Sequence, residues 1–227
     1  MRYGKVSKGL FVGRPNRFVA DVDLGGIRER VHVKNTGRCK ELLVPGAVVY
    51  LHAATGPNRT TRYDLIAVEK KGRLINIDSG APNSVFLEFL QSGSYLEAVS
   101  LIKSEVRYGS SRFDFYVEEG EKRIFLEVKG VSLEENGVVL FPDAPSRRGV
   151  KHVEELARSI SEGYQARIIF VAQMRGALYF APHRRMHPAF ADALVRAKQA
   201  GVGIEAYDCF VAPDSLTLAG ALEVRLA

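Results

Sequence analysis

The segment from Ala166 to Ala172 restricts the possible folds of this chain more than any other. It is apolar at every position except Arg167, and such a run predicts a strand that is buried on both faces of a sheet. Amphipathic helices are predicted before and after it, over Gly149–Ser161 and Pro188–Ala200. A fully buried strand between two helices predicts an α/β domain built on a mixed sheet.

Shorter patterns complete this domain, which we place at residues 81–227. Apolar spacing predicts a helix over Ser84–Leu90 with Asn83 or Ser84 as its N-cap. Further strands are predicted over Lys103–Tyr108, Phe113–Val117, Ile124–Val128 and Ile204–Val211, with a short hairpin around Val131–Leu133 and Val138–Phe141. The strand over 204–211 is expected to close the domain.

The segment of residues 1–80 has a different pattern, with short alternating strands and no long helix. Strands are predicted over Leu10–Val12, Phe18–Leu24, Ile27–Val33, Ala47–Leu51, Tyr63–Val68 and Leu74–Ile77. Turn residues such as Gly25-Gly26 and Pro45-Gly46 separate them, and one short helical piece is expected near 39–43. About five strands in this arrangement predict a small closed barrel such as an OB-fold, although an SH3-like barrel would give a similar pattern.

Positive charge is concentrated in this predicted barrel. Residues 1–80 contain 15 Lys and Arg against 7 Asp and Glu, whereas the remainder contains 17 against 19. A basic segment suggests a polyanionic partner, and we expect DNA, although basic residues also serve solubility. The candidate DNA-binding residues lie on the first three strands and the loop after them: Arg14, Arg17, Arg28, Arg30, Lys34 and Arg38. Phe11 and Phe18 lie among them and would either stack on bases or belong to the core.

The composition argues against several other classes of protein. No apolar stretch approaches the roughly 18 residues of a membrane span, and the charged, glycine-containing N-terminus does not resemble a secretion signal. The two cysteines, Cys39 and Cys209, are far apart and fit neither a disulfide framework nor a zinc site. We therefore expect a cytoplasmic protein without a membrane partner.

The pattern with the most chemical content is Asp114, followed by Glu127-Val128-Lys129 on the next predicted strand. Side chains alternate along a strand, so Glu127 and Lys129 share one face. One face of the preceding strand is predicted to carry Phe113, Phe115 and Val117, with Asp114 on the other. If the two strands form a hairpin, two carboxylates and one ammonium group come together on one face of the sheet.

Two carboxylates a few ångströms apart make a hard oxygen site for Mg²⁺ or Mn²⁺, so Asp114 and Glu127 are the candidate metal ligands. A cation there can polarise a phosphate oxygen and acidify a bound water, and Lys129 could orient that water or stabilise the transition state. Lys151, on the helix behind the hairpin, is a further candidate catalytic residue, with a solvent-facing lysine as the alternative. This order of residues is the pattern of PD-(D/E)xK nucleases, with Phe113 in place of the proline.

Longer motifs make the sequence similar to one family. These motifs are Arg17–Val22, Asn35–Gly37, Pro82-Asn83, Glu105–Phe115, Glu127–Val131, Phe141–Ala144 and Arg148–His152, in this order along the chain. The chain resembles the SfsA family, the sugar fermentation stimulation proteins, over essentially its whole length. The resemblance implies a DNA-binding protein with an N-terminal OB-like domain and a C-terminal PD-(D/E)xK nuclease-like domain. It also implies an association with the regulation of sugar (maltose) metabolism genes.

Two functions are consistent with these features. The first is a Mg²⁺-dependent phosphodiesterase, a nuclease acting on DNA through Asp114, Glu127 and Lys129. The second is a non-catalytic DNA-binding regulator with a vestigial nuclease site. The intact carboxylate pair favours the enzyme, because two unneutralised carboxylates would repel DNA. The sequence leaves open RNA binding by the barrel and a two-fold homodimer, which would suit a nuclease that cuts both strands.

Overall fold

The computed structural model describes residues 1–35, 37–56 and 59–226, and six strands form its first sheet. They are β1 (Val6–Asn16), β2 (Val19–Leu24), β3 (Ile27–Val33), β4 (Val48–Ala53), β5 (Tyr63–Lys70) and β6 (Arg73–Asn76). Neighbours in the order β3-β2-β1-β4-β5-β6 are antiparallel, and β3 also pairs in parallel with β5. The β3–β5 pairing closes β1 to β5 into a barrel, which confirms the OB-like prediction.

Gly9 permits a close approach of β1 and β2 in this barrel. A Cβ atom at residue 9 would lie 2.6 Å from Val22 Cγ1 and 2.9 Å from the carbonyl oxygen of Asp23. Only a residue without a side chain fits between the strands at this point. The barrel interior is filled by fully buried side chains, which include Val22, Val31, Val49, Leu51 and Leu65.

The segment after β3 forms a turn where a short helical piece was predicted. The backbone N–H groups of Leu42 and Leu43 both bond to the Cys39 carbonyl oxygen, at 3.1 and 2.8 Å. Cys39 has a φ of 45°, which interrupts a right-handed helix. Thr36, inside the Asn35–Gly37 motif, lies outside the described residues.

The second sheet contains nine strands in the order β10-β11-β13-β15-β14-β12-β9-β8-β7. They are β7 (Val99–Tyr108), β8 (Ser111–Glu119), β9 (Lys122–Val131), β10 (Glu134–Glu135), β11 (Val138–Phe141), β12 (Gln165–Ala172), β13 (Tyr179–Pro182), β14 (Gly203–Ala212) and β15 (Ser215–Val224). Three helices accompany the strands: α1 (Ala81–Gln91), α2 (Arg147–Ser161) and α3 (Pro188–Gln199). β12 runs parallel to β9 and β14, whereas β7, β8 and β9 are antiparallel, so the sheet is mixed as predicted.

The central strand β12 separates two apolar cores. Ile168 and Phe170 belong to a core that also contains residues of α2 and α3, whereas Ile169 and Val171 belong to a core that contains α1. All four side chains are fully buried, which confirms the prediction of a strand covered on both faces. Each such side chain contributes roughly 1.5–3 kcal/mol to stability when it is removed from water.

Helix α2 begins at a polar cap. The Ser146 side chain accepts a hydrogen bond from the Gly149 backbone N–H at 2.9 Å, which satisfies one of the free donors at the helix start. Val153 and Leu156 are buried on the stripe that faces the sheet. The predicted amphipathic helix is therefore present, and it starts earlier than predicted, at Arg147.

Three predicted elements differ from the structure. Helix α1 begins after Gly80 and has no side-chain cap, so neither Asn83 nor Ser84 caps it. Strand β14 does not close the domain, because β15 follows and pairs with it in an antiparallel hairpin. Most side chains of β15 are only partly buried, which leaves a weak apolar pattern in its sequence. The short hairpin pairs Glu134–Glu135, rather than Val131–Leu133, with β11.

The barrel and the second sheet are connected at two places along the chain. Between 76 and 81 the chain passes from β6 to α1, and the Asn76 N–H bonds to the Gln173 carbonyl oxygen at 2.9 Å. Before β1, the Tyr3 N–H bonds to the Asp214 carbonyl oxygen at 2.8 Å. The Tyr3 hydroxyl accepts from Asn76 Nδ2 at 2.9 Å and donates to Asp78 Oδ2 at 3.2 Å. The two crossings therefore contact each other, and residue 3, inside the segment placed in the barrel domain, bonds to the second sheet.

In the part of the chain that the structure describes, no helix combines the length and the apolar character that crossing a membrane requires.

Candidate active site

The two carboxylates singled out in the sequence lie where β8 and β9 separate. Paired residues of this hairpin run from Glu119 and Lys122 at the turn to Phe115 and Leu126, which confirms the predicted hairpin. The next residues on the two strands are Asp114 and Glu127. There the Val128 N–H donates to Asp114 Oδ2 at 2.7 Å, so a side chain serves as the acceptor for a strand donor.

Strand β8 does not alternate regularly through Asp114. The Phe113 ring lies 5.1 Å from that of Phe125, in the core beneath α2, whereas Phe115 packs in the core of α1. The prediction that Phe113 and Phe115 share a face is therefore wrong. On the neighbouring strand β7, Glu105 lies opposite this part of β8 and has a φ of 57°. Both strands are therefore distorted at this level. The distortion lets the Asp114 carboxylate reach the backbone of β9.

Glu127 is buried, with 2% of its surface exposed. The polar contacts of its carboxylate all involve one of its two oxygens, Oε1. Lys129 Nζ and His152 Nδ1 both contact Oε1. Oε2 is buried and has no hydrogen-bond partner among the described residues. A buried polar atom without a partner costs about 1–3 kcal/mol, and more if it is charged. A cation at Oε2 would remove that cost.

The pKa values of the two carboxyl groups differ. Burial raises the pKa of Glu127, but the hydrogen bond with His152 and the charge of Lys129 outweigh it and hold that pKa below its ordinary value. Burial and the charge of Glu127 raise the pKa of Asp114 to about 6, against the opposing effect of Lys129 and two hydrogen bonds. Both groups are therefore mainly ionised at neutral pH, which concentrates negative charge at this point.

Two side chains orient the carboxylates without having been assigned that role from the sequence. Asn83 Nδ2, on α1, donates to Asp114 Oδ1 at 2.7 Å, so the residue expected to cap the helix holds a carboxylate instead. His152, on α2, is 4% exposed and contacts Glu127. It occupies the buried stripe of α2 one turn before Leu156, and a polar residue in such a stripe is the sequence signal for a buried partner.

Lys151 does not reach the carboxylate pair. It is exposed, and its Nζ donates to the Ser110 carbonyl oxygen at 2.8 Å. Consecutive residues of a helix point about 100° apart, so His152 faces Glu127 and Lys151 points to the β7–β8 turn. The helix residue at the carboxylates is therefore His152 rather than Lys151.

The residues at this site fit a small divalent cation. Within the described ranges, no group of three or more His, Cys, Asp and Glu side chains is arranged to hold a metal ion. Asp114 and Glu127 provide two carboxylates, and Mg²⁺ is usually held by one or two carboxylates while it keeps several water ligands. The unpartnered Oε2 of Glu127 and the all-oxygen donors fit a hard divalent cation.

Arg14 has a structural role in the barrel that the sequence did not indicate. Its Nη1 donates to the carbonyl oxygens of Gly37 and Arg38 at 2.9 Å, and its Nη2 to those of Arg17 and Asn35 at 2.6 Å. These bonds use all four N–H groups of the two terminal nitrogens. Arg14 thus holds Asn35, Gly37 and Arg38 in place with its terminal N–H groups, and its binding to DNA stays a prediction.

The other predicted DNA-binding side chains remain at the surface or in ion pairs. Arg17, Arg28 and Arg38 are exposed. Arg30 pairs with Asp21 at 3.0 Å, and Lys34 pairs with the buried Asp78 at 2.7 Å.

The two aromatic residues of the barrel differ in exposure. Phe11 is 3% exposed and belongs to the core, whereas Phe18 is 47% exposed with the Arg17 guanidinium 4.9 Å from its ring centroid. Arg17 also borders a cleft of about 420 Å³, which Arg38 and Lys40 line as well. An exposed aromatic ring beside a basic cleft is the arrangement that single-stranded nucleic acid can stack on.

Comparison with known families gives matches over both sheets. A family model described as the SfsA N-terminal OB domain matches residues 12–77, and one described as the sugar fermentation stimulation protein RE domain matches residues 80–215. The chain belongs to the SfsA family. The resemblance of its motifs is therefore confirmed, and the two matched ranges meet at the passage from β6 to α1.

Relatives of this SfsA protein match it over their whole length. The sugar fermentation stimulation protein homologs of Ruminiclostridium cellulolyticum and Desulfitobacterium hafniense strain Y51 are each 50% identical over 226 residues, covering 100% of this chain and 100% and 99% of theirs. The structure of Pyrococcus furiosus SfsA in complex with Ca²⁺ superposes with a TM-score of 0.90 at 31% identity, covering 99% of this chain and 98% of that one.

Proposed function

We propose that this SfsA protein hydrolyses phosphodiester bonds of DNA with a divalent cation held by Asp114 and Glu127. The observation that carries the proposal is Glu127 Oε2, a buried carboxylate oxygen that has no hydrogen-bond partner among the described residues. Ionised carboxylates on a surface that only binds DNA would lower its affinity, because they repel the phosphates. A cation bound to the free oxygen of such a carboxylate pair would neutralise the pair and attract a phosphate.

The neighbours of the two carboxylates keep them in position. Asn83 fixes Oδ1 of Asp114, and the Val128 N–H fixes Oδ2. His152 contacts Oε1 of Glu127, which directs Oε2 away from the helix. Side chains held by hydrogen bonds in this way need little rearrangement when a cation and a substrate bind.

Lys129 would act on the substrate. Asp114 and Glu127 would hold Mg²⁺ or Mn²⁺, which would supply the charge that polarises a phosphate oxygen and acidifies a water molecule. The Lys129 ammonium group contacts Glu127 Oε1, and its side chain is 17% exposed, so it reaches both the carboxylates and the surface. A positive charge there can hold the attacking water and stabilise the charge that develops on phosphorus-bound oxygens.

A relative supports the choice of a divalent cation. The Pyrococcus furiosus SfsA structure was determined in complex with Ca²⁺, and that chain is 31% identical to this one over nearly its full length. Ca²⁺ and Mg²⁺ both take carboxylate oxygen ligands. The same kind of ligand is available here from Asp114 and Glu127.

DNA would be held by the exposed basic residues of the barrel. Arg17, Arg28 and Arg38 are exposed, and Phe18 offers a ring for stacking beside Arg17. Phosphate contacts of this kind provide affinity without sequence preference. RNA binding by the barrel and a two-fold homodimer are further proposals.

The test is a cleavage assay on single-stranded, duplex and branched DNA with Mg²⁺, Mn²⁺ or EDTA. Glu127→Gln should abolish cutting, because it removes the charge of one metal ligand. Glu121→Gln is the matched control, since Glu121 is an exposed glutamate at the turn of the same hairpin. Metal-dependent cutting that Glu121→Gln retains and Glu127→Gln loses would support the proposal.

Two contacts of Glu127 are consistent with the alternative function, a DNA-binding regulator that does not cut DNA. The Lys129 ammonium group and a hydrogen bond with His152 both act on Glu127, so they offset part of its charge without a cation. DNA binding without cleavage on any of these substrates would contradict the proposed hydrolysis and support a regulator. Cutting that persists equally in Glu127→Gln would place the activity elsewhere.

A further inference from the structure

A basic cavity of about 250 Å³ lies beside the carboxylate pair. It is formed by the β7–β8 hairpin and the first turns of α2, and its lining includes Arg107, Ser111, Arg112, Arg148, Lys151 and His152. The hydrolysis proposed above gives no role to the three arginines.

Positively charged side chains lie next to each other at two places in this cavity, and both arrangements destabilise the folded protein. Arg107 lies directly opposite Arg112 in the β7–β8 ladder. Arg148 and Lys151 are three residues apart on α2 and therefore neighbours on the helix surface. Like charges at both spacings are destabilising. Among the described residues, only Arg112 of these four forms an ion pair within 4 Å, with Glu105 at 2.7 Å, and the Glu155 carboxylate offsets part of the charge of Lys151. The cavity thus holds an excess of positive charge.

Ser111 belongs to the same wall of the cavity. It is 7% exposed, and its buried hydroxyl lies beside the Glu155 carboxylate, which it stabilises as an anion. The turn before it is held firmly, because Lys151 Nζ donates to the Ser110 carbonyl oxygen and Ser110 donates to Glu155 Oε1 through both its N–H (3.3 Å) and its Oγ (2.8 Å). A firmly held turn that carries several cations is suited to an anion with oxygen acceptors.

One imidazole ring separates this cavity from the carboxylates. His152 Nδ1 contacts Glu127, and Arg148 Nε lies 3.3 Å from His152 Nε2 on the other edge of the ring. An anion in the cavity would therefore lie next to the proposed site of hydrolysis, without occupying it.

We propose that this cavity binds a phosphate group of the nucleic-acid strand, adjacent to the phosphate that is cut. A phosphate group supplies the negative charge that would neutralise these arginines. It also supplies oxygen acceptors that a guanidinium group binds two at a time. The identity of the strand rests on the proposed function. The phosphate is either internal to the strand or a terminal monoester, and both have the same recognition chemistry.

The test measures binding of short single-stranded oligonucleotides by fluorescence anisotropy, in EDTA and again with Ca²⁺. Three otherwise identical oligonucleotides carry a 5′-phosphate, a 3′-phosphate or hydroxyl groups at both ends. Arg107→Ala and Lys151→Ala should each weaken binding about tenfold and reduce the slope of log affinity against log salt by about one. Arg196→Ala, which removes an exposed arginine of α3 that pairs with Glu154, is the matched control and should change neither quantity.

The outcomes separate the possible sources of the phosphate. Loss of affinity for all three oligonucleotides would identify an internal phosphate, and loss confined to one phosphorylated form would identify that terminus. Unchanged affinity for every oligonucleotide in both variants would overturn the inference. Arg107→Ala should also keep the melting temperature of the wild type, because it relieves repulsion, whereas a merely structural arginine would lower it.

Failure of this inference and failure of the proposed function give different results. If the protein never cuts DNA but both variants bind about tenfold more weakly, the hydrolysis proposal fails and the phosphate cavity stands. If the protein cuts DNA and both variants bind like the wild type, hydrolysis stands and the cavity proposal fails.

Discussion

The affinity of the carboxylate pair for a divalent cation should depend on pH through Asp114. Burial and Glu127 raise the pKa of Asp114 to about 6, whereas the pKa of Glu127 lies below its ordinary value. A cation binds the ionised carboxylate, so protons and cations compete for Asp114. Affinity should therefore be highest above pH 7 and should fall as the pH decreases through 6.

The magnitude follows from the pKa. At pH 6 half of the Asp114 side chains carry a proton, so each cation that binds releases about 0.5 proton. At pH 5 roughly nine-tenths carry a proton, and the apparent affinity should be about tenfold lower than at pH 7. An aspartate with an ordinary pKa of about 3.9 would release less than about 0.1 proton even at pH 5.

Isothermal titration calorimetry with Mn²⁺ in two buffers of different ionisation enthalpy measures the released protons directly. Glu121→Gln should match the wild type, and Asp114→Asn should bind Mn²⁺ weakly with little dependence on pH. Equal affinity at pH 5 and pH 7, with no proton release at pH 6, would refute the argument that burial and Glu127 disfavour the ionised form of Asp114.

Three further predictions concern stability measured by chemical denaturation, and one of them also concerns DNA binding measured at several salt concentrations. His152→Ala should lower the free energy of unfolding by about 2–4 kcal/mol, because buried Glu127 loses a partner, and a loss below about 0.5 kcal/mol would count against that contact. Arg14→Ala should lower the free energy of unfolding by about 2–3 kcal/mol. Arg17→Ala should leave the free energy of unfolding unchanged and reduce the salt dependence of DNA binding. Equal stability of the two variants would contradict the structural role of Arg14. Gly130→Ala should lower the free energy of unfolding by about 1–3 kcal/mol, because the new Cβ would lie 2.6 Å from a proline carbon and 2.7 Å from a glutamine oxygen, and a neutral effect would show that these neighbours move.

Controls exist for two of these variants. Gly13→Ala introduces the same methyl group at a position with no heavy atom within 4 Å, so it should leave stability nearly unchanged. Arg28→Ala removes an exposed arginine from the same barrel and should behave like Arg17→Ala in stability.

Local patterns were sufficient to predict β9 and its site residues. Glu127 and Lys129 alternate with Leu126 and Val128, and the two apolar side chains are buried in the core of α1 as alternation requires. Helix α2 was equally accessible, because its apolar stripe repeats at helical spacing.

The geometry around Asp114 could not be read from local patterns. Its position depends on a distortion of β8, on a backbone donor of β9 and on Asn83, which is 31 residues away in the sequence. The same is true of Arg14 and Arg17, which look alike in the sequence. Their surroundings differ because Asn35, Gly37 and Arg38 present their carbonyl oxygens to Arg14.

The pair of crossings between the barrel and the sheet has a consequence for how a long strand would be cut. Tyr3 and Asn76 belong to different crossings and are bonded to each other, and each is also bonded to the second sheet. A double connection of this kind resists swinging and twisting far more than one flexible linker does. The separation between the exposed basic residues of the barrel and the carboxylate pair is then constant. Under the proposed function, a strand held by both would be cleaved at a constant offset from the segment that the barrel holds. The barrel would act as a ruler for the length of the product.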